Sequence, residues 1–208
     1  MAKKKETIEL KAINPTIVTV EIEGDSDLVL NKMDDVTAKE LTDARKDKAK
    51  DIGAVNEWEK IITAIHWRDG KPNTFSEAIM KELLKTNAPC LTAFGLKKSF
   101  CQAVVRNGID TYGTKFDAGV NIIGNGLVPI EFAEHYIDEK LMQPQKGKPV
   151  LCKLNRFSGW KAKFKLSCME NVYSIEQIIN IISLAGFGLG IGSGRTSGYG
   201  RYHIVGVK

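Results

Sequence analysis

The reading of this chain turns on Ala185-Gly186-Phe187-Gly188-Leu189-Gly190-Ile191-Gly192-Ser193-Gly194-Arg195-Thr196-Ser197-Gly198-Tyr199-Gly200-Arg201-Tyr202. Glycine costs backbone entropy wherever a chain is ordered, so glycines at this density need a geometric reason. They let backbone N–H groups converge on an anion and let a second backbone pass close by. Arg195 and Arg201 add guanidinium forks that match phosphate oxygens. A flexible Gly/Ser connector has similar composition. Against that reading, Phe187, Leu189 and Ile191 alternate with the glycines, and the strand-like Tyr202-His203-Ile204-Val205-Gly206-Val207 follows at once. A dinucleotide-binding glycine motif lies between a strand and the helix after it. Here the glycines follow a helix-like segment and precede a strand, and Gly194-Arg195-Thr196 is not the Gly-Lys-Ser/Thr of a P-loop. The stretch predicts a phosphate-handling surface without a nucleotide cofactor.

The segment that delivers the chain into this loop predicts a helix. Ser174 stands as N-cap with Gln177 at the capping-box spacing, Ile175, Ile178, Ile179 and Ile182 form an apolar stripe, and Gly186 is the stop. Before it, Trp160 to Leu166 alternates strictly, which turns Trp160, Ala162, Phe164 and Leu166 to a core and Lys161, Lys163 and Lys165 to the other face. Val150 to Leu154 predicts another strand. Strand, strand, helix, glycine-rich loop, strand is the order of an α+β unit with antiparallel pairing.

Nearer the N-terminus, Thr7 to Met33 predicts two or three strands around a turn at Gly24-Asp25-Ser26-Asp27. Asp34 to Lys50 predicts an exposed charged helix, with Thr37 as its N-cap and Glu40 three residues on, or a mobile excursion. Three amphipathic helices follow: one over Asn56 to Trp67, closed by a turn at His66 to Pro72, one from Phe75 to Leu84 and one from Leu91 to Val104. They are expected to share one face of a sheet. Leu127-Val128-Pro129-Ile130 predicts an edge strand, because proline cannot donate to a central ladder. Residues 143–149 predict a linker, so the chain reads as one domain over 1–208, divisible into halves of about 7–142 and 150–208.

Composition narrows the function. The chain has 208 residues, 43% hydrophobic and 26% charged, ordinary for a soluble domain with a real core. No apolar run reaches the roughly 18 residues of a membrane span, and no apolar segment follows the basic start, so a cytoplasmic, unprocessed protein is expected. Cys90, Cys101, Cys152 and Cys168 have neither zinc nor redox spacing and predict reduced thiols. His66, His135 and His203 show no metal-ligand spacing, and neither metal nor cofactor is expected. Residues 1–142 carry 20 Lys/Arg against 23 Asp/Glu and residues 143–208 carry 10 against 2, so −3 and +8 make up the net +5. Cations segregated in this way point to a polyanion or an acidic partner at that end.

The candidate phosphate contacts are Lys153, Arg156, Lys161, Lys163, Lys165, Arg195 and Arg201. Gly190, Gly192, Gly194, Thr196 and Ser197 supply close backbone approach and small polar groups, and Phe157, Tyr199 and Tyr202 are candidates to stack bases. The expected partner is RNA or single-stranded DNA.

Leu184 to Gly192 followed by Arg195 and Gly200-Arg201-Tyr202 resembles the C-terminal glycine-rich loop of the repeat-associated mysterious protein superfamily, the RNA-binding subunits of CRISPR effector complexes. Val20 to Gly24 with Leu28 to Met33 resembles its first strand and loop. Over about residues 15–205 the chain is also similar to uncharacterised phage and prophage proteins, through Trp67 to Lys71, Phe75 to Ala78, Arg156 to Trp160 and the glycine loop. The resemblance implies a modified ferredoxin-like or RNA-recognition-like antiparallel sheet with helices on one face. It further implies a non-catalytic, single-strand-binding protein that assembles side by side along its ligand as a homo-oligomer or filament. Two other readings stay open: a metal-independent endoribonuclease using His66, His135 or His203, and an assembly or inhibitor protein that mimics a CRISPR backbone subunit.

Overall fold

A computed structural model of the chain describes residues 14–44, 56–142 and 150–208. Its elements are β1 (Thr16–Gly24), β2 (Leu28–Leu30), α1 (Asp35–Ala44), α2 (Glu57–Thr63), β3 (His66–Trp67), α3 (Glu77–Thr86), β4 (Pro89–Thr92), α4 (Ala93–Arg106), α5 (Thr114–Gly119), β5 (Val120–Ile123), β6 (Leu127–Glu131), β7 (Glu134–Met142), β8 (Val150–Ser158), β9 (Lys161–Cys168), α6 (Ile175–Gly188) and β10 (Tyr202–Val207). The linker expected at 143–149 and the start of the first expected strand lie outside the described residues.

The C-terminal third behaves as its pattern predicts. Ser174 caps α6 with the full capping box, and the helix runs to Gly188, one half-turn beyond the expected stop. Buried and exposed residues alternate along β9. Both β9 and β10 run antiparallel to β1, which lies between them, so β9-α6-β10 is a split βαβ crossover with the first strand filling its gap. The larger sheet has the order β10-β1-β9-β6-β4-β3, and β5 also pairs with β9. Val18, Val20 and Ile22 of β1 and Ala162, Phe164 and Leu166 of β9 turn to one face. There α4 and α6 cover them with Leu96, Phe100, Ile178, Ile181 and Ile182, and the Phe100 ring stacks 6.2 Å from that of Phe164. The other face is open, and along β9 it presents Lys161, Lys163 and Lys165.

Several elements differ from the sequence reading. Asp34, not Thr37, caps α1: its carboxylate accepts from the Thr37 amide at 2.9 Å and from the Thr37 hydroxyl at 2.8 Å. His66–Trp67 is a short strand on β4 rather than a turn. Leu91 and Thr92, the start of the expected third helix, belong to β4. β6 is internal, between β9 and β4. Proline is accommodated there because the β6–β9 ladder comprises Ile130↔Ala162 and Glu131↔Lys161 and stops short of Pro129, while β5 takes over the rest of that edge at Lys165. β7, for which the sequence signalled no element, pairs with β8 along its whole length and with β2 forms a second, three-stranded sheet. α2 packs against β8, α1 and α3. The cysteines are unpaired as expected, and burial pushes the Cys90 thiol up to about 11.

Candidate nucleic-acid interface

The glycine-rich loop is bound on both sides. The Gly200 amide donates to the Asp27 carbonyl and the Ser193 amide to the Val29 carbonyl, each at 2.8 Å, and the buried Ser99 hydroxyl of α4 donates to the Gly190 carbonyl at 2.8 Å. Two glycines are needed for this seating. A Cβ on Gly200, at φ +70°, would stand 1.9 Å from the Ile191 carbonyl oxygen, and one on Gly192, at φ +76°, 2.6 Å from that of Val29. The N–H groups of Gly190, Ile191, Ser193, Ser197, Gly198 and Gly200 all go to backbone carbonyls. At these positions glycine permits close backbone packing, and Arg195 and Arg201 supply the charge.

Most of the predicted cations are already neutralised. Lys161 pairs with Glu23 at 3.0 Å and Lys163 with Glu21 at 2.6 Å, because the β1–β9 register sets each lysine opposite a glutamate. Lys165, opposite Thr19 and Ile123, has no such neighbour in the ladder. Lys153 bridges Glu57 and Glu139 at 2.8 and 3.0 Å. Arg156 holds Asp27 at 2.6 Å and Asp138 at 2.9 Å, with its guanidinium 4.9 Å from the Tyr136 ring centroid and 4.8 Å from that of Tyr199. One face of Tyr199 is therefore occupied. Phe157 and Tyr202, 0% and 1% exposed, are core residues and cannot stack a base. The Tyr202 hydroxyl donates to the Ile182 carbonyl at 3.1 Å.

Arg195 and Arg201 are different, because among the described residues neither meets a carboxylate. They belong to a groove between the loop and α4. One chamber, about 220 Å³, is lined by Lys32, His66, Cys90, Lys98, Gly192 and Arg195 among others. A second, about 140 Å³, is lined by Gln102, Arg106, Gly188, Leu189, Arg195, Thr196 and Arg201. Arg195 lines both and donates to Gln102 Oε1 at 3.2 Å. Neither lining contains a carboxylate.

Helix α4 supplies the opposite wall. Phe94, Lys98, Gln102 and Arg106 recur every four residues and rise along one side of the helix. Phe94 is 75% exposed, with the Lys98 ammonium 5.8 Å from its ring centroid. Arg195, Arg201 and the loop glycines are the residues expected from the sequence, whereas Lys32, Phe94, Lys98, Gln102 and Arg106 are not among them. The four-residue spacing in α4 was the available signal.

The three histidines are separated. His66 lies in the first chamber, where burial, then the Lys32 charge, lowers its pKa below the usual imidazole value. His135, lowered by burial, bonds Asn155 at 3.0 Å, and His203 bonds Asp25 at 2.6 Å. No helix among the described residues is long and apolar enough to cross a membrane, and no cluster of three or more His, Cys, Asp or Glu side chains is placed to hold a metal.

No family model matches the chain, and no curated protein matches it in sequence. Among solved structures it is similar to a chain of the Type III-B Cmr-beta bound to cognate target RNA, with a TM-score of 0.52 and 12% identity; the match covers 93% of this chain and 60% of that one. Cmr6 from Pyrococcus furiosus also matches, with a TM-score of 0.34 and 12% identity over 92% of this chain and 99% of that one. At this identity the likeness shows the fold, the expected α+β, modified ferredoxin-like arrangement of an antiparallel sheet with helices.

Proposed function

We propose that the chain binds single-stranded nucleic acid, RNA first, along the groove between α4 and the glycine-rich loop. The observation that carries this reading is a groove lined by Lys32, Lys98, Arg106, Arg195 and Arg201 with no carboxylate in its walls. Lys32 also pairs with Asp35 at 3.5 Å, but Lys98, Arg106, Arg195 and Arg201 meet no carboxylate among the described residues, and cations without counter-charges favour a polyanion, which releases its condensed counterions on binding. The exposed Phe94 ring offers a stacking platform at the rim. A fold shared with a chain of an RNA-bound assembly agrees with this choice. In the same proposal the protein holds its ligand without cleaving it, works in the cytoplasm as the phage-type proteins it resembles would, and lines up side by side along the strand.

The test is fluorescence anisotropy with a labelled single-stranded 12-mer, as RNA and as DNA. Affinity is expected to fall about fifty-fold between 50 and 200 mM salt if about four phosphates are neutralised. Arg195→Ala should weaken every sequence alike, while Lys161→Ala with Lys163→Ala should change little. The reverse pattern would move the ligand to the open face of the sheet. Cleavage of the RNA in EDTA, lost in His66→Ala, would replace the binding reading with the endoribonuclease one.

A further inference from the structure

The smaller chamber has a donor set that a phosphodiester backbone does not fill. Arg106 comes from the last turn of α4, Arg195 and Thr196 from the short 3₁₀ turn Arg195–Ser197, and Arg201 from the residue before β10. Arg201 Nη1 is buried and meets no acceptor, although buried charged donors are costly unless something accepts from them. Gln102 Oε1 accepts from Arg195, which leaves the Gln102 amide N–H₂ as another donor. None of the three guanidiniums pairs with a carboxylate among the described residues, and the lining contains none. The walls therefore ask for a compact ligand that is all acceptor and carries more than one negative charge.

An internal phosphodiester brings one charge and two free oxygens. A phosphate monoester brings about −1.5 to −2 charges at neutral pH and three oxygens, each able to take a guanidinium fork. A chamber of about 140 Å³ admits a phosphate group together with water, given about 30 Å³ for each water molecule. We infer that Arg106, Arg195 and Arg201 form a site for a phosphate monoester, distinct in chemistry from the run of backbone phosphates along the groove. The monoester is either the phosphorylated end of a bound strand or a free phosphate; both present the same three oxygens. The strand-end form rests on the nucleic-acid reading, whereas the free-phosphate form stands without it.

Two measurements on the full chain separate these outcomes. The first is thermal unfolding with 10 mM inorganic phosphate against chloride at matched ionic strength. The second is anisotropy with the same 12-mer carrying a 5′-phosphate, a 3′-phosphate or hydroxyls at both ends. For a strand end, one phosphorylated form should bind at least tenfold more tightly than the hydroxyl form, and Arg106→Gln, whose residue is exposed, should abolish that preference, while hydroxyl-ended binding falls by no more than the loss of one backbone phosphate contact. For free phosphate, the melting temperature should rise in phosphate and not in Arg106→Gln or Arg201→Gln, with no preference among the 12-mers. No rise and no preference, or effects unchanged in both variants, would overturn the site. Oligonucleotide binding that persists in that case keeps the groove reading, and phosphate binding with no oligonucleotide binding removes the groove reading alone.

Discussion

Arg195 is shared by both chambers of the groove, so its loss should be felt along the whole ligand rather than at one base. Arg195→Ala is expected to cost about tenfold in affinity and to reduce the salt slope by about 0.7, the contribution of one phosphate contact on a single strand. Its melting temperature should fall little, because among the described residues the side chain makes no ion pair and its hydrogen bond goes to the Gln102 side chain. Gly200 is the opposite case. Gly200→Ala puts a Cβ 1.9 Å from a carbonyl oxygen at a φ that L residues seldom adopt, and a loss of about 2–4 kcal/mol is expected in denaturant unfolding.

His66 reports on both stability and ligand. Its pKa is lowered, as is that of His135, so the folded protein takes up these protons later than the unfolded chain. Their contribution to stability is full above about pH 6.5 and is lost as pH falls from there toward the folded values. A polyanion in the groove acts the other way, favouring the protonated imidazole of His66. An NMR titration should show the His66 midpoint rise when the 12-mer is bound while that of His135 stays in place. An unmoved His66 would mean that the ligand does not enter the larger chamber.

At the scale of elements, α4 wears two faces. Leu96, Phe100, Ala103 and Val104 bury one, and Phe94, Lys98 and Arg106 leave the other in water. Phe94→Ala should therefore lose about 1–3 kcal/mol of oligonucleotide affinity, the usual worth of a base stack, with unchanged unfolding. Elements whose information is local were readable in the sequence: the capping box of α6, the strict alternation of β9 and the terminal strand. What it withheld was pairing. The glutamates that quench the lysine strip come from β1, far away in sequence, and only the register between two strands reveals that Glu21 meets Lys163 and Glu23 meets Lys161. β7 has charged residues along much of its length and little apolar rhythm, and its order comes from its ladder with β8. The candidate site was half legible for the same reason: a glycine-dense loop announces itself, whereas the helix wall facing it reads as an ordinary solvated face.

Across the whole molecule, folding redistributes charge. The +8 of residues 143–208 is largely met by carboxylates from earlier in the chain, at Glu21, Glu23, Asp27, Glu57, Asp138 and Glu139. Of the cations left over, Arg195 and Arg201 gather in the groove with Lys98 and Arg106 from earlier in the chain, while Lys165 stays on the open face of the sheet. If molecules line up along RNA, size-exclusion mass should step upward with strand length and collapse after nuclease treatment. A constant mass would make binding monomeric.

The placement of β1 between β9 and β10 also sets an order of events during synthesis. A ribosome that has released residues 16–24 has made a strand with neither neighbour, since residues 161–168 and 202–207 come much later. The loop that frames the groove is fastened to the turn after β1 through Asp27, Ser26 and Arg201, so it cannot take shape before the second of those neighbours is in place. A nascent chain should thus leave the groove unframed until residues 202–207 are made, and under the proposed function it would stay off the RNA around it until then.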